Sequence, residues 1–187
     1  MSRVKGTAIA GRLGYARRRG GDEAVKTIVA GISDKEAREQ LADGKALKSN
    51  WYPFSTLVDI TVGIDKLFGK GDLSIVAEVG GDVAEADLNG VYKLFFAIAS
   101  PQYLMDKAAS IWRNYYDSGE LLVVERAQNL AVLELRDVET PHRAHCLSVM
   151  GWMHRSLVLC KCKDVKTDHS ECRALGGKRC VFKGSWS

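Results

Sequence analysis

Glu120-Leu-Leu-Val-Val-Glu-Arg126, a break at Gln128-Asn129, and Leu130-Ala-Val-Leu-Glu-Leu-Arg136 decide the fold class of this chain. Two short runs rich in β-branched and aliphatic residues, partly alternating and separated by a polar pair, read as an antiparallel hairpin. Upstream the pattern is different. Leu57, Ile60, Ile64 and Leu67 repeat at helical spacing after Trp51-Tyr-Pro53-Phe-Ser55, which reads as an aromatic turn with Pro53 at the first helical position. Leu104, Ala108, Ile111, Trp112 and Tyr115 repeat likewise after Ser100-Pro101 and predict a helix over 101–117.

Further towards the N-terminus, Ala8, Ile9, Leu13 and Tyr15 form a helical stripe that Gly20-Gly21 is expected to end. Ser33-Asp-Lys-Glu36 has capping-box spacing ahead of a short charged helix. Residues 73–98 predict one or two helices, with Gly80-Gly81 marking a kink or a close helix approach. Beyond the hairpin, Pro141 opens a helix to about His154. Ser156–Val165 reads as a third strand and Arg179–Gly184 as a fourth. The expectation is one α+β domain over 1–187. Its 1–117 part is mainly helical and its 118–187 part runs strand-strand-helix-strand-strand to a cysteine-rich end.

Composition sets bounds on function. A chain of 187 residues, 46% hydrophobic and 27% charged, can bury one substantial core. No apolar run is long enough to span a bilayer, and residues 1–20 lack the apolar core of a secretory signal, so a cytoplasmic setting is expected. The net charge of +4 does not by itself imply nucleic acid. Arg3, Lys5, Arg12, Arg17, Arg18 and Arg19 nevertheless all precede the first acidic residue, Asp22. Arg17, Arg18 and Arg19 are therefore candidates for docking an acidic partner, against the plainer reading of a solvated helix end.

All five cysteines, Cys146, Cys160, Cys162, Cys172 and Cys180, lie in the last quarter, where a reducing compartment keeps them as thiols. Zinc requires four N/S ligands from converging segments. His169 and Cys172 are close in sequence, and Cys180 returns across the Gly176-Gly177 turn. Cys146, Cys160 and Cys162 are the choices for a fourth ligand. The competing reading is a set of buried small apolar side chains. His142, His145 and His154 lie near Cys146, but no oxyanion-donating motif accompanies them. No Gly-rich phosphate loop follows a strand. An enzyme is not expected.

The ending Cys172-Arg-Ala-Leu-Gly-Gly-Lys-Arg-Cys180-Val-Phe182, after a strand-strand-helix-strand order with Gly151 in the helix, resembles 4-vinyl reductase-type domains. These are grouped with TRAPP trafficking subunits and heme-nitric oxide-binding sensors. Val4-Lys-Gly6-Thr, Trp51-Tyr-Pro53 and Ser185-Trp186 resemble an uncharacterised myxobacterial branch. The resemblance implies a helical layer on a small twisted antiparallel sheet, a homodimer, and an apolar pocket between the two layers. It implies a zinc site at Cys146, His169, Cys172 and Cys180, with His169 standing where those domains carry Glu. It implies no heme, because a Tyr-x-Ser-x-Arg signature is absent. The functional expectation is a non-catalytic module that binds an apolar small molecule among Phe95, Phe96, Leu104, Trp112 and Trp152 and signals through a protein partner. The alternative is a dimeric scaffold without ligand, recruiting an acidic partner through its basic N-terminal segment.

Overall fold

The computed structural model describes residues 2–88 and 100–187. Its main sheet has four antiparallel strands in the order β3-β4-β6-β5: β3 Glu120–Ala127, β4 Leu130–Arg136, β5 Lys166–Glu171 and β6 Cys180–Ser185. The hairpin turns at Gln128-Asn129, as its sequence predicts. Ala131, Leu133 and Leu135 of β4 alternate onto the buried face, where Leu133 pairs with Phe182 and Leu135 with Cys180.

Among the described residues six helices accompany this sheet. They are α1 Gly6–Ala30, α2 Lys35–Gln40, α3 Phe54–Phe68, α4 Val76–Leu88, α5 Pro101–Tyr115 and α6 Arg143–Leu159. The molecule is α+β, with a helical layer against a small antiparallel sheet. A second, two-stranded sheet pairs β1 Arg3–Lys5 with β2 Trp51–Pro53, so the expected aromatic turn is a strand and Pro53 precedes its helix. One apolar cluster fills the space among α1, α2, α3 and β2; the other lies between α5, α6 and the four-stranded sheet. Val4 bridges to Tyr116, and Arg3 donates to both carboxylate oxygens of Asp117 at 2.6 and 2.7 Å, tying the first strand to the end of α5.

Several local expectations are corrected. Ser156–Val165 is not a strand: α6 runs on to Leu159, and the chain reverses through Lys161 and Asp164, both at positive φ, before β5 starts at Lys166. The aliphatic run 157–159 has strand composition, but Met153, Ser156 and Leu157 continue the buried helical face, and packing decides. Gly20-Gly21 kinks α1 rather than ending it. Gly21 takes φ 70°, which suits glycine, and the helix resumes beyond it. The cap of α2 is Asp34, whose carboxylate accepts from Ala37 N at 2.8 Å, while the Ser33 hydroxyl donates to Asp59.

The contact that positions the functional region is the crossing of α4 and α6. A Cβ on Gly80 would fall on the Ser148 carbonyl, and one on Gly151 would fall on the Ala77 carbonyl. Two glycines, one from each helix, let the backbones touch. This carries α6 inward, where one face meets α4 and another meets the sheet. No helix among the described residues is long and apolar enough to cross a membrane.

Candidate functional site

Below that crossing lies a cavity of about 90 Å³, walled by α1, α4, α5, α6 and the β3–β4 hairpin. Of the residues expected to line a pocket, Leu104, Trp112 and Trp152 do so; Phe95 and Phe96 fall outside the described residues. Met105, Ala108, Leu121, Leu133, Val149 and Met153 complete most of the apolar wall. Trp112 is fixed at both ends. Its indole N–H donates to the Ser118 and Gly119 carbonyls at 3.1 Å, and its ring stacks on Tyr116 at 4.1 Å.

Arg12 and Ser148, with Tyr115 and Tyr116, are the polar residues among those described in this wall. Arg12 is 3% exposed, and its guanidinium donates to Thr61 Oγ1 at 2.9 Å, to the Ala8 carbonyl at 3.1 Å and to Ser148 Oγ at 2.7 Å. Sequence reading missed it, although an arginine four residues after Ala8 inside an apolar stripe was a visible signal. Behind Trp112 and Tyr116 sits His145, 2% exposed, ring edges against Phe54, Trp112 and Tyr116 at centroid distances of 4.9, 5.7 and 5.1 Å. Burial, with the charge of Arg12 adding to it, lowers the His145 pKa to about 3, so the imidazole is neutral. Its Nε2 has no hydrogen-bond partner among the described residues.

A second constellation lies in the same core layer, between α6 and the sheet. Cys146 from α6, His169 from β5, Cys172 before a short 3-10 turn (Arg173–Leu175) and Cys180 opening β6 bring their donor atoms within 4.8 Å of one another. The Cys146 and Cys180 sulfurs are 3.5 Å apart. A tetrahedral site with metal–sulfur bonds of about 2.3 Å separates its sulfurs by about 3.8 Å, so this spacing is close to what an ion needs. Gly176 at φ 90° makes the turn that returns Cys180 to Cys172. The Cys180 thiol is made more acidic by its hydrogen bond from Cys146, with the Arg173 amide and His169 assisting, while sharing that bond and being buried make Cys146 less acidic. His169 stacks on Phe182 at 4.6 Å, and its buried Nε2 has no hydrogen-bond partner among the described residues. Cys160 and Cys162, at and just beyond the end of α6, are outside the group.

The basic run is drawn onto the protein's own acids. Arg17 bonds Asp22 at 2.7 Å and the Gly44 carbonyl at 3.0 Å; Arg18 pairs with Asp82; Arg19 reaches Glu78 at 2.7 Å and the Tyr15 hydroxyl at 2.9 Å. Two of the three arginines thus fasten α1 to α4.

An antiparallel sheet under a helical layer, with an apolar cavity between the layers, defines a class of α+β proteins. Within it, solved structures similar to this chain include H-NOX proteins. An S. oneidensis H-NOX protein in its Fe(II)NO state matches with a TM-score of 0.75 at 13% identity, over 98% of this chain and 99% of that one. Unliganded Fe(II) H-NOX from K. algicida gives 0.71 at 11%, over 98% and 96%. An oxygen-binding H-NOX domain related to soluble guanylate cyclases gives 0.70 at 14%, over 98% and 95%. No protein-family model and no curated protein sequence matches the chain. At such identities the likeness carries the fold. It corrects the resemblance to 4-vinyl reductase and TRAPP domains: whole-chain similarity runs to H-NOX, whereas that resemblance rested on a short C-terminal motif. It also overturns the expectation of no heme, since the similar structures include heme-bearing proteins in which heme distortion was probed.

Proposed function

We propose that this chain is a small-molecule-binding module that takes a compact apolar ligand in the cavity between α5, α6 and the hairpin and passes its occupancy to a protein partner. The cavity carries this reading: well-packed interiors leave few voids larger than a water molecule, and mainly apolar voids accept apolar guests. The described lining residues are mainly apolar, which supports binding as the role of the cavity. We further propose that Cys146, His169, Cys172 and Cys180 hold a thiolate-preferring divalent metal ion that clasps α6 to the sheet.

Heme is a second reading, favoured by His145. A heme iron takes an axial His, Cys, Met or Tyr ligand, and His145 offers a neutral imidazole with an unpartnered nitrogen. Trp112 and Tyr116 stand between that ring and the cavity and would have to turn aside. Titrating the purified protein with toluene and, separately, with hemin tests both. Saturable toluene binding that Ala108→Leu abolishes supports the apolar-ligand reading. A sharp Soret band with hemin, lost in His145→Phe, replaces it with heme.

A further inference from the structure

We infer that Glu171 positions the metal ligands: its carboxylate, on the outer face of the sheet, holds the turn that brings Cys172 and Cys180 together. This rests on the reading of Cys146, His169, Cys172 and Cys180 as a metal site and names what keeps that site in shape. In a regular strand, residues two apart share a face. His169 and Glu171 do not. The pairing of β5 with β6 slips at Ser170, so that His169 pairs with Phe182 and Glu171 with Val181. Cys180 and Phe182 point into the core, so Val181 between them points out, as does Glu134, its partner on β4. A bulge re-aims a side chain. This one delivers His169 to the thiols and Glu171 to the opposite face.

There Glu171 gathers the far end of the turn. One carboxylate oxygen accepts from the amides of Lys178 at 2.8 Å and Arg179 at 3.3 Å, and the other from the Arg179 guanidinium at 3.2 Å. Arg179 continues to Glu134 at 2.8 Å, and Glu134, 2% exposed, also accepts from Arg136. Glu134 is thus the fixed end of a ladder that reaches the residue before Cys180. The near end of the turn is closed by backbone: the Leu175 and Gly177 amides donate to the Cys172 carbonyl at 3.0 and 2.9 Å. A Cβ on Gly177 would come within 2.9 Å of that carbonyl and of the Glu171 side chain, so the turn packs against the residue that holds it. With residues 173–179 held in this way, Cys172 and Cys180 meet an ion without first ordering the chain between them. Groups behind metal ligands orient them, and loss of one commonly lowers affinity about 10–100-fold.

The test titrates the full, reduced chain with cobalt(II) alone and reads the thiolate-to-cobalt charge-transfer band, with affinity set by competition against a chelator. The unaltered protein is expected to show the band at about one ion per chain. Glu171→Ala should weaken cobalt binding about tenfold or more. The band at saturation should keep its position, because no ligand is removed. Glu171→Gln retains a carbonyl oxygen for the two amides and should recover most of the affinity. Unchanged affinity in Glu171→Ala overturns the proposal, as does a Glu171→Gln variant that binds no better than Glu171→Ala. Should Glu171→Ala fail to fold, Arg179→Ala cuts the ladder while leaving the Glu171 carboxylate on the two amides. It should weaken binding by a smaller factor, and unchanged affinity there also overturns the proposal. If the unaltered protein shows no band, the metal reading itself fails and the proposal fails with it.

Discussion

Gly151 of α6 lies directly over the Ala77 carbonyl of α4, with no room for a methyl group between them. The reciprocal contact, Gly80 against the Ser148 carbonyl, is made one turn away. Backbone cannot retreat as a flexible side chain can, so any larger residue must separate the helices. Gly151→Ala is expected to destabilise the fold by about 1–3 kcal/mol, the usual range for overpacking. Urea unfolding checks this, and a change below about 0.5 kcal/mol would show that the helices part without cost.

The double variant Gly80→Ala/Gly151→Ala should cost less than the two single costs added. Once the helices are apart, the second methyl finds space already made, and neighbouring sites couple in this way. Strict additivity in the same urea measurement would mean that the two contacts are independent.

Filling the cavity separates stability from binding. Ala108 is 8% exposed and lines the cavity, so Ala108→Leu places apolar atoms where none pack now. Cavity filling commonly adds about 0.5–2 kcal/mol. The expected outcome is a higher Tm together with loss of any ligand-induced rise in Tm. A variant that is destabilised and still binds would place the guest elsewhere.

Alkaline pH should expose the α1–α4 contact. Tyr15 is buried and donates to Glu78 at 2.7 Å; burial first, then that bond, raises its pKa to about 12. In the unfolded chain the phenol ionises near 10. Below pH 10 both states hold the proton. Between 10 and 12 the unfolded state loses it and the folded state keeps it, so stability falls as pH rises. The slope is at most about 1.4 kcal/mol per pH unit. Tyr15→Phe should flatten this part of the stability profile relative to the unaltered protein. Parallel profiles would show that Tyr15 does not hold its proton in the fold.

Removal of a metal is the remaining test. Protein purified without chelator should carry about one thiolate-bound ion per chain by elemental analysis. Cys172→Ser should lose that ion and several kcal/mol of stability, because a structural site supplies folding energy directly. A metal-free protein in which Cys172→Ser costs under about 1 kcal/mol would reduce the quartet to packed thiols.

The residues differ in how much of this they reveal unaided. The hairpin at 120–136 is legible because alternation and a polar pair are local signals, and so is Gly80 as a point of close approach. The run 156–165 misleads because its composition suits a strand, whereas the buried face of α6, set by contacts with α4 and the sheet, makes it helical. The arginines at 17–19 look like a free basic patch until the fold supplies Glu78 and Asp82 from some sixty residues away. At the cysteine cluster, local spacing relates His169, Cys172 and Cys180; only the three-dimensional path of α6 selects Cys146 over Cys160 and Cys162. The C-terminal motif pointed to the wrong relatives because eleven residues describe a turn and two thiols, while the fold is a property of the whole chain.

One helix serves both constellations. Cys146 and, one and two turns further on, Val149, Trp152 and Met153 ride on α6, the first in the thiol cluster and the others in the cavity wall. Thermodynamic reciprocity then constrains how the two behave. If an ion at Cys146 strengthens the hold on a cavity guest by some factor, that guest strengthens the hold on the ion by the same factor. Scarcity of either one would be read by the protein as weaker affinity for the other.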